Sequence, residues 1–322
     1  LVRKEEEVIT LSNGHRFEYV VASGAAGFAG RYWWFERPLV WFGLIKPELF
    51  TIVLKTLTLE PIKGNLNWWK PWTWLPFSPW SCVRHVPGGT VNKVGLTNLG
   101  FDWWIQKVAP TIDFTKQPII VSLHGTAQEL AKMVWLLNAC NGNLVGIELN
   151  VSCPNVGEME NETAEIVNTV KRIFSIAGYN RPIGLKLSVA QDCLAIAREL
   201  EGYIEYVTLN SVPWEVMHPS KKSLLWRLQQ KVGGSGGGVS GQVAQAHNWK
   251  VARQLVKETK VPVVFPGVWD YEDINSIWSQ GADAISFGAI HLRFPSGVLP
   301  TRYVKRDKRE QQEPEERRNT DG

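Results

Sequence analysis

The sequence predicts an α/β fold of the (β/α)8 barrel class. Three observations carry that expectation: eight short apolar runs, amphipathic helical patterns between several of them, and a length of 322 residues that suits one large domain. The runs lie at 18–23, 51–57, 118–124, 145–151, 182–188, 206–211, 261–267 and 283–289. Each is short and rich in Val, Ile and Leu, as a strand buried on both faces of a parallel sheet reads. Helical periodicity follows at 127–140, 162–177, 190–201, 243–259 and 270–280. Ahead of the first barrel strand, Asn13-Gly14 separates two short apolar runs, which predicts a hairpin closing the barrel floor.

Residues 1–300 are therefore expected to form a single barrel domain, with an insert at 66–81 on the barrel top. The insert, LNWWKPWTWLPFSPWS, is too proline-rich for a helix. The chain holds 16 tryptophans, ten of them between Trp33 and Trp104, so this region is where composition departs most from ordinary usage. A packed lid is the first expectation for the insert and a partner surface the second; membrane contact is the least favoured. Residues 301–322 are charged and poor in apolar groups, which predicts a disordered tail.

Composition excludes several classes. A formal charge of +4 with no arginine-rich reading motif argues against nucleic acid. No apolar run approaches a bilayer span, and no signal peptide is evident. Cys82, Cys140, Cys153 and Cys193 show neither CxxC nor metal-ligand spacing, so a reduced, cytoplasmic setting without metal is expected. Cys140 and Cys193, on helices, read as small buried residues.

Barrel enzymes place their chemistry at the C-terminal strand ends. Those ends carry Lys55 and Thr56 on the second strand, Asn150 and Cys153 after the fourth, and Lys186 on the fifth. The sixth ends in Asn210 and Ser211, the seventh at Gly267 and the eighth at Gly288. Two lysines, a thiol and several carboxamides are more than a structural barrel top requires.

ELNVSCPNV at 148–156 resembles the active-site loop of the dihydroorotate dehydrogenases, flavin enzymes on a (β/α)8 barrel. The likeness continues in order through ASGAAGFAGRY (22–32), IVLKTLTLEPIKGN (52–65), NKVGLTN (92–98), LNS (209–211) and GGVSG (237–241), covering roughly 8–292. A cysteine at the base position is similar to the soluble first class. The resemblance implies oxidation of (S)-dihydroorotate to orotate in pyrimidine (UMP) biosynthesis, with Cys153 as base and FMN as hydride acceptor. Asn92, Asn150, Asn155, Asn210 and Ser211 would hold the pyrimidine, because a carboxamide offers donor and acceptor together. Ala22, Ser23, Lys55, Thr56, Asn150, Lys186, Gly238, Gly241, Gly267, Gly288 and Ala289 would hold FMN, the lysines favouring negative charge on its ring. A homodimer and an electron-transfer partner subunit are also implied, since the chain has no iron–sulfur ligand set.

The chain departs from the family pattern in places. Pro266 precedes Gly267 where a glycine pair is usual, removing one backbone donor. HLRFPSGVLPTRY replaces the usual closing helix, and Pro213-Trp214 follows the sixth strand. Three alternatives stand beside the main reading. One is an FMN enzyme of another dihydropyrimidine, and one is an aldolase or isomerase using Lys186 as a Schiff base. The third is a lapsed barrel that acts as an interaction or membrane-associated protein.

Overall fold

The computed structural model describes residues 8–67, 70–73, 78, 80–138, 144–152, 163–176, 180–232, 234–293 and 297–320. Eight parallel strands close into a barrel. They are β1 (Tyr19–Val21), β2 (Thr51–Val53), β3 (Ile119–Leu123), β4 (Gly146–Asn150), β5 (Ile183–Leu187), β6 (Tyr206–Leu209), β7 (Val263–Phe265) and β8 (Ala284–Phe287). Closure comes from β8 pairing with β1, Ile285 opposite Tyr19. All eight fall inside the runs expected from sequence.

Outside the barrel lie α1 (Arg37–Trp41), α2 (Ala127–Asn138), α3 (Thr163–Phe174), α4 (Cys193–Glu199), α5 (Gln245–Glu258), α6 (Glu272–Trp278) and α7 (Val298–Thr320). The stripe Leu130, Met133, Val134 and Leu137 shows why α2 forms: spacings of three and four place all four on the buried face. Asp192 caps α4, its carboxylate accepting from the Ala195 N–H at 3.0 Å.

The expected floor is present. Ile9–Thr10 and Arg16–Phe17 pair antiparallel, and Gly14 takes the left-handed conformation that the turn requires. Ile9, Leu11 and Phe17 pack against one interior layer that includes Val20, Val53, Ile120 and Val264. Tyr206 completes that layer, its ring filling the space beside Gly184, where a Cβ would meet the ring at 1.9 Å. The barrel is therefore solid below and open only above.

Over the top lies a four-stranded antiparallel sheet of Val212–Pro213, Gly238–Gly241, Gly89–Asn92 and Val83–Val86, in that order. It joins the segments read from sequence as separate substrate and glycine loops, with Asn92 opposite Gly238. Seven of the sixteen residues of the tryptophan-rich insert (68, 69, 74–77 and 79) lie outside the described residues. Within it, Pro71–Thr73 forms a single helical turn, and Trp72 and Trp80 are exposed.

The expectation of a disordered tail from residue 301 is corrected by α7. Val298, Thr301, Val304 and Asp307 are buried at intervals of three, a stripe that the dense charge around it conceals. Asp307 accepts hydrogen bonds from Tyr19 Oη at 2.5 Å and Trp278 Nε1 at 3.1 Å. Pro300 sits in the first turn, where a missing N–H costs the helix nothing. A closing helix is thus retained, displaced by the short turn Ala289–Leu292.

Candidate active site

A cavity of about 550 Å3 occupies the upper half of the barrel, within the size range of small-ligand sites. Ala22, Ser23, Lys55, Thr56, Asn92, Asn150, Lys186, Asn210, Ser211, Gly241, Gly267, Gly288 and Ala289 all line it. Gly238 stands just behind, in direct contact with Ser211: an added Cβ would lie 2.1 Å from the Ser211 hydroxyl. The candidates named from sequence therefore converge, apart from Cys153 and Asn155, which lie outside the described residues. The described chain leads to them through Val151 and Ser152 at the end of β4.

The polar groups are joined in one chain whose direction follows from its end. Lys186 Nζ donates to Glu148 Oε1 at 2.6 Å in a buried ion pair, and Ser122 Oγ donates to the same oxygen at 3.0 Å. A carboxylate can only accept, so Ser122 spends its proton there. The 2.9 Å contact between Thr56 and Ser122 is then donated by Thr56. Thr56 in turn accepts from Ser23 Oγ at 3.0 Å and from Asn150 Nδ2 at 3.1 Å. Further out, Asn210 Nδ2 donates to Ser152 Oγ at 2.9 Å, and Ser152 Oγ donates to Asn150 Oδ1 at 2.8 Å. Every bond from Asn210 to Glu148 points the same way, which fixes both carboxamides without an ambiguous flip.

Position follows from register. Ser122 lies opposite Glu148, and Asn150, two residues further along β4, opposite Lys186, so alternate residues of β3, β4 and β5 point inward on successive rungs. His124, at the end of β3, donates from Nδ1 to the Asn150 carbonyl at 2.7 Å. Burial lowers its pKa, which keeps the ring neutral and its tautomer set. His291 also lines the cavity; burial pushes its pKa down to about 4.

Lys55, beside Thr56 after β2, also lines the cavity, its ammonium 5.7 Å from the Phe28 ring. At the far end, Pro266 accepts from Trp249 Nε1 at 2.9 Å, and Gly267 accepts from Gln245 Nε2 at 2.9 Å. Those two carbonyls are committed to α5, leaving the glycine backbone held in place. Asn248 Oδ1, buried and lining this end, has no hydrogen-bond partner among the described residues. A ligand hydroxyl would satisfy it. The lining thus offers two lysines, an unsatisfied buried carboxamide oxygen and three glycine turns, a donor set that suits a ligand with an anionic ring and a hydroxylated chain.

Cys82 and Cys193 are the described cysteines, and both are buried; Cys140, like Cys153, lies outside the described residues. Burial pushes the thiols of Cys82 and Cys193 up to about 12. Among the described residues no cluster of His, Cys, Asp or Glu is arranged to hold a metal. Sequence reasoning missed Glu148 and Ser122. The available signal was a carboxylate in the middle of an apolar strand, one register step from an equally buried lysine.

Comparison with known proteins places these features in a family. The dihydroorotate dehydrogenase family model matches residues 49–293. The chain is 27% identical over 264 residues to the catalytic subunit of a dihydroorotate dehydrogenase B (NAD(+)) from Citrifermentans bemidjiense, covering 77% of each chain. It is 27% identical over 260 residues to the corresponding subunit from Bacteroides thetaiotaomicron, covering 77% of this chain and 78% of that one. A solved Amycolatopsis orientalis BexX/CysO complex matches with a TM-score of 0.52 at 14% identity, over 94% of this chain and 92% of that chain; it is alike in fold alone.

Proposed function

Since the chain belongs to the dihydroorotate dehydrogenase family, whose members are FMN-dependent oxidoreductases acting on CH–CH bonds, we propose that it oxidises (S)-dihydroorotate to orotate with Cys153 as the base. The observation that carries the proposal is the one-directional polar chain from Asn210 to the Lys186–Glu148 pair, lining a cavity closed below and roofed above. FMN, when bound, supplies the hydride acceptor. Lys55, Lys186, Thr56, Ser23 and the glycine turns at Gly241, Gly267 and Gly288 would hold it.

The substrate falls to the chain's own polar residues. Asn92, Asn210 and Ser211 present donors and acceptors from the roof side and Asn150 from the β4 side, matching a ring of alternating N–H and C=O, and Asn155 is assigned to the same task by its place in the sequence motif alone. Cys153 takes the proton from C5 as thiolate. A free thiol titrates near ~8.5, and a cationic or hydrogen-bonding surround brings it toward working pH.

Pairing of Lys186 with Glu148 speaks against the Schiff-base alternative. The lysine Nζ is engaged in a buried ion pair with the Glu148 carboxylate at 2.6 Å rather than presented to a substrate carbonyl. The electron acceptor belongs to the same proposal. The relatives are named as NAD(+)-type catalytic subunits, so we assign NAD reduction to a separate electron-transfer subunit, the present chain acting as a homodimer beside it.

An anaerobic absorbance titration tests the proposal. Flavin bands that bleach on adding dihydroorotate support it; bands that persist assign another substrate; a protein that remains colourless after incubation with FMN overturns it. In Cys153→Ala the bands should remain, and bleaching should slow by about 100-fold or more. An unchanged rate removes Cys153 from the base role.

A further inference from the structure

Helix α1 and its flanking turns carry five large apolar residues on the solvent side. Inward, Leu39 and Val40 pack on the core, and the buried Glu36 carboxylate accepts from the Trp33 N–H at 3.0 Å. Outward stand Trp34, Trp41 and Phe42, exposed by 67%, 80% and 80%, with Phe35 and Leu44 beside them. A surface helix ordinarily points charge outward, so this face is inverted. Five neighbouring large apolar residues left in water are not the scattered exposure that any surface shows.

Beside the face is a cleft of about 390 Å3 whose lining includes Arg31, Arg37, Val40 and Trp41. Arg31 and Arg37 are exposed and form no ion pair with a described residue. Acid is scarce nearby: Glu36 is buried, and Glu48 is paired with Lys46 at 3.4 Å.

We propose that this face docks on a bilayer surface bearing anionic phospholipid. The rings of Trp34, Trp41 and Phe42 would enter the interfacial layer, with Arg31 and Arg37 on headgroup phosphates. Protruding tryptophan and phenylalanine beside unpaired arginine is the combination that suits such an interface. A second copy fits less well. A two-fold interface would set the face against itself, and its two cations would meet cations with no exposed acid free to receive them. An acidic peptide would satisfy the arginines and leave the rings uncovered. Contact would be peripheral, since among the described residues no helix is long and apolar enough to cross a membrane.

Flotation of the full chain with vesicles tests this. The chain should float with phosphatidylcholine vesicles containing phosphatidylglycerol, weakly with phosphatidylcholine alone, and less as salt rises. Trp41→Ser with Phe42→Ser, and separately Arg31→Gln with Arg37→Gln, should each lower the floating fraction roughly tenfold or more. These positions are exposed, so melting curves should match the parent, which separates lost docking from lost folding. No flotation with either vesicle overturns the proposal, as does equal flotation of both variants. A dimer in light scattering that Trp41→Ser with Phe42→Ser dissociates, without vesicle binding, assigns the face to a second copy and also overturns it.

Discussion

Glu148 and Lys186 set the electrostatics of the cavity. Each is buried, and each alone would be a desolvated charge. Replacing only Lys186, as in Lys186→Met, leaves the carboxylate with Ser122 as its one remaining donor among the described residues, and should cost the FMN-free protein about 3–5 kcal/mol in urea unfolding. Adding Glu148→Leu should recover most of that loss, because a well-packed apolar pair can replace a buried ion pair at little cost. If the double variant is no more stable than the single, the pair does not act as a unit. His291 makes a pH prediction whose sign is fixed by its lowered pKa. Above pH 6.5 the ring is neutral in both folded and unfolded chains, and it contributes no slope. From 6.5 down to about 4 the unfolded chain takes up a proton that the folded chain refuses, so stability falls through that window. The loss should amount to a few kcal/mol and level off below the folded pKa. His291→Phe should flatten this part of the pH–stability curve; His124 and His15, lowered in the same direction, would contribute to slope that remains.

Elements divide into those their own residues announce and those that depend on distant partners. The eight barrel strands were legible because buried parallel strands are continuous apolar runs, and the floor hairpin because Asn13-Gly14 is a local turn signal. The roof sheet was not. Its glycine-rich strands have little intrinsic preference for extended structure, and Asn92 meets Gly238 across 146 residues of chain. Glu148 hid for a related reason, since only register shows that it faces Ser122 and a lysine rather than the helices. Helix α1 escaped notice because it is short and its largest apolar residue, Trp41, faces solvent, leaving Leu39 and Val40 to mark its core side. The inner stripe of α7 escaped because one of its four members is an aspartate. That aspartate makes the element testable. Asp307→Ala strips the acceptor from Tyr19 and Trp278 at once, and should lower stability by about 1–3 kcal/mol. Were α7 only an appended tail, the variant would melt with the parent.

Across the whole molecule the barrel separates folding from chemistry by height. Below, the hairpin and the layer around Tyr206 fill the barrel with packed, mostly apolar side chains. Above, the same strands end in lysines, carboxamides and hydroxyls that bury few apolar atoms. A change at either end should therefore move one property and spare the other. Phe17→Ala empties a filled site beneath the barrel and should cost about 3–5 kcal/mol, while the chain that folds retains its substrate KM. Asn210→Ala removes a half-exposed carboxamide that ends the donor chain at Ser152. It should change stability by no more than about 1 kcal/mol, yet raise KM for dihydroorotate by tenfold or more, about 1.4 kcal/mol of lost binding. Paired urea melts and steady-state kinetics on the two variants read both axes. A Phe17→Ala chain that folds with an altered KM would show that this packing reaches the site through the single layer between them. An Asn210→Ala chain with unchanged kinetics would take the roof-side carboxamide out of substrate binding and leave that task to Asn92 and Ser211.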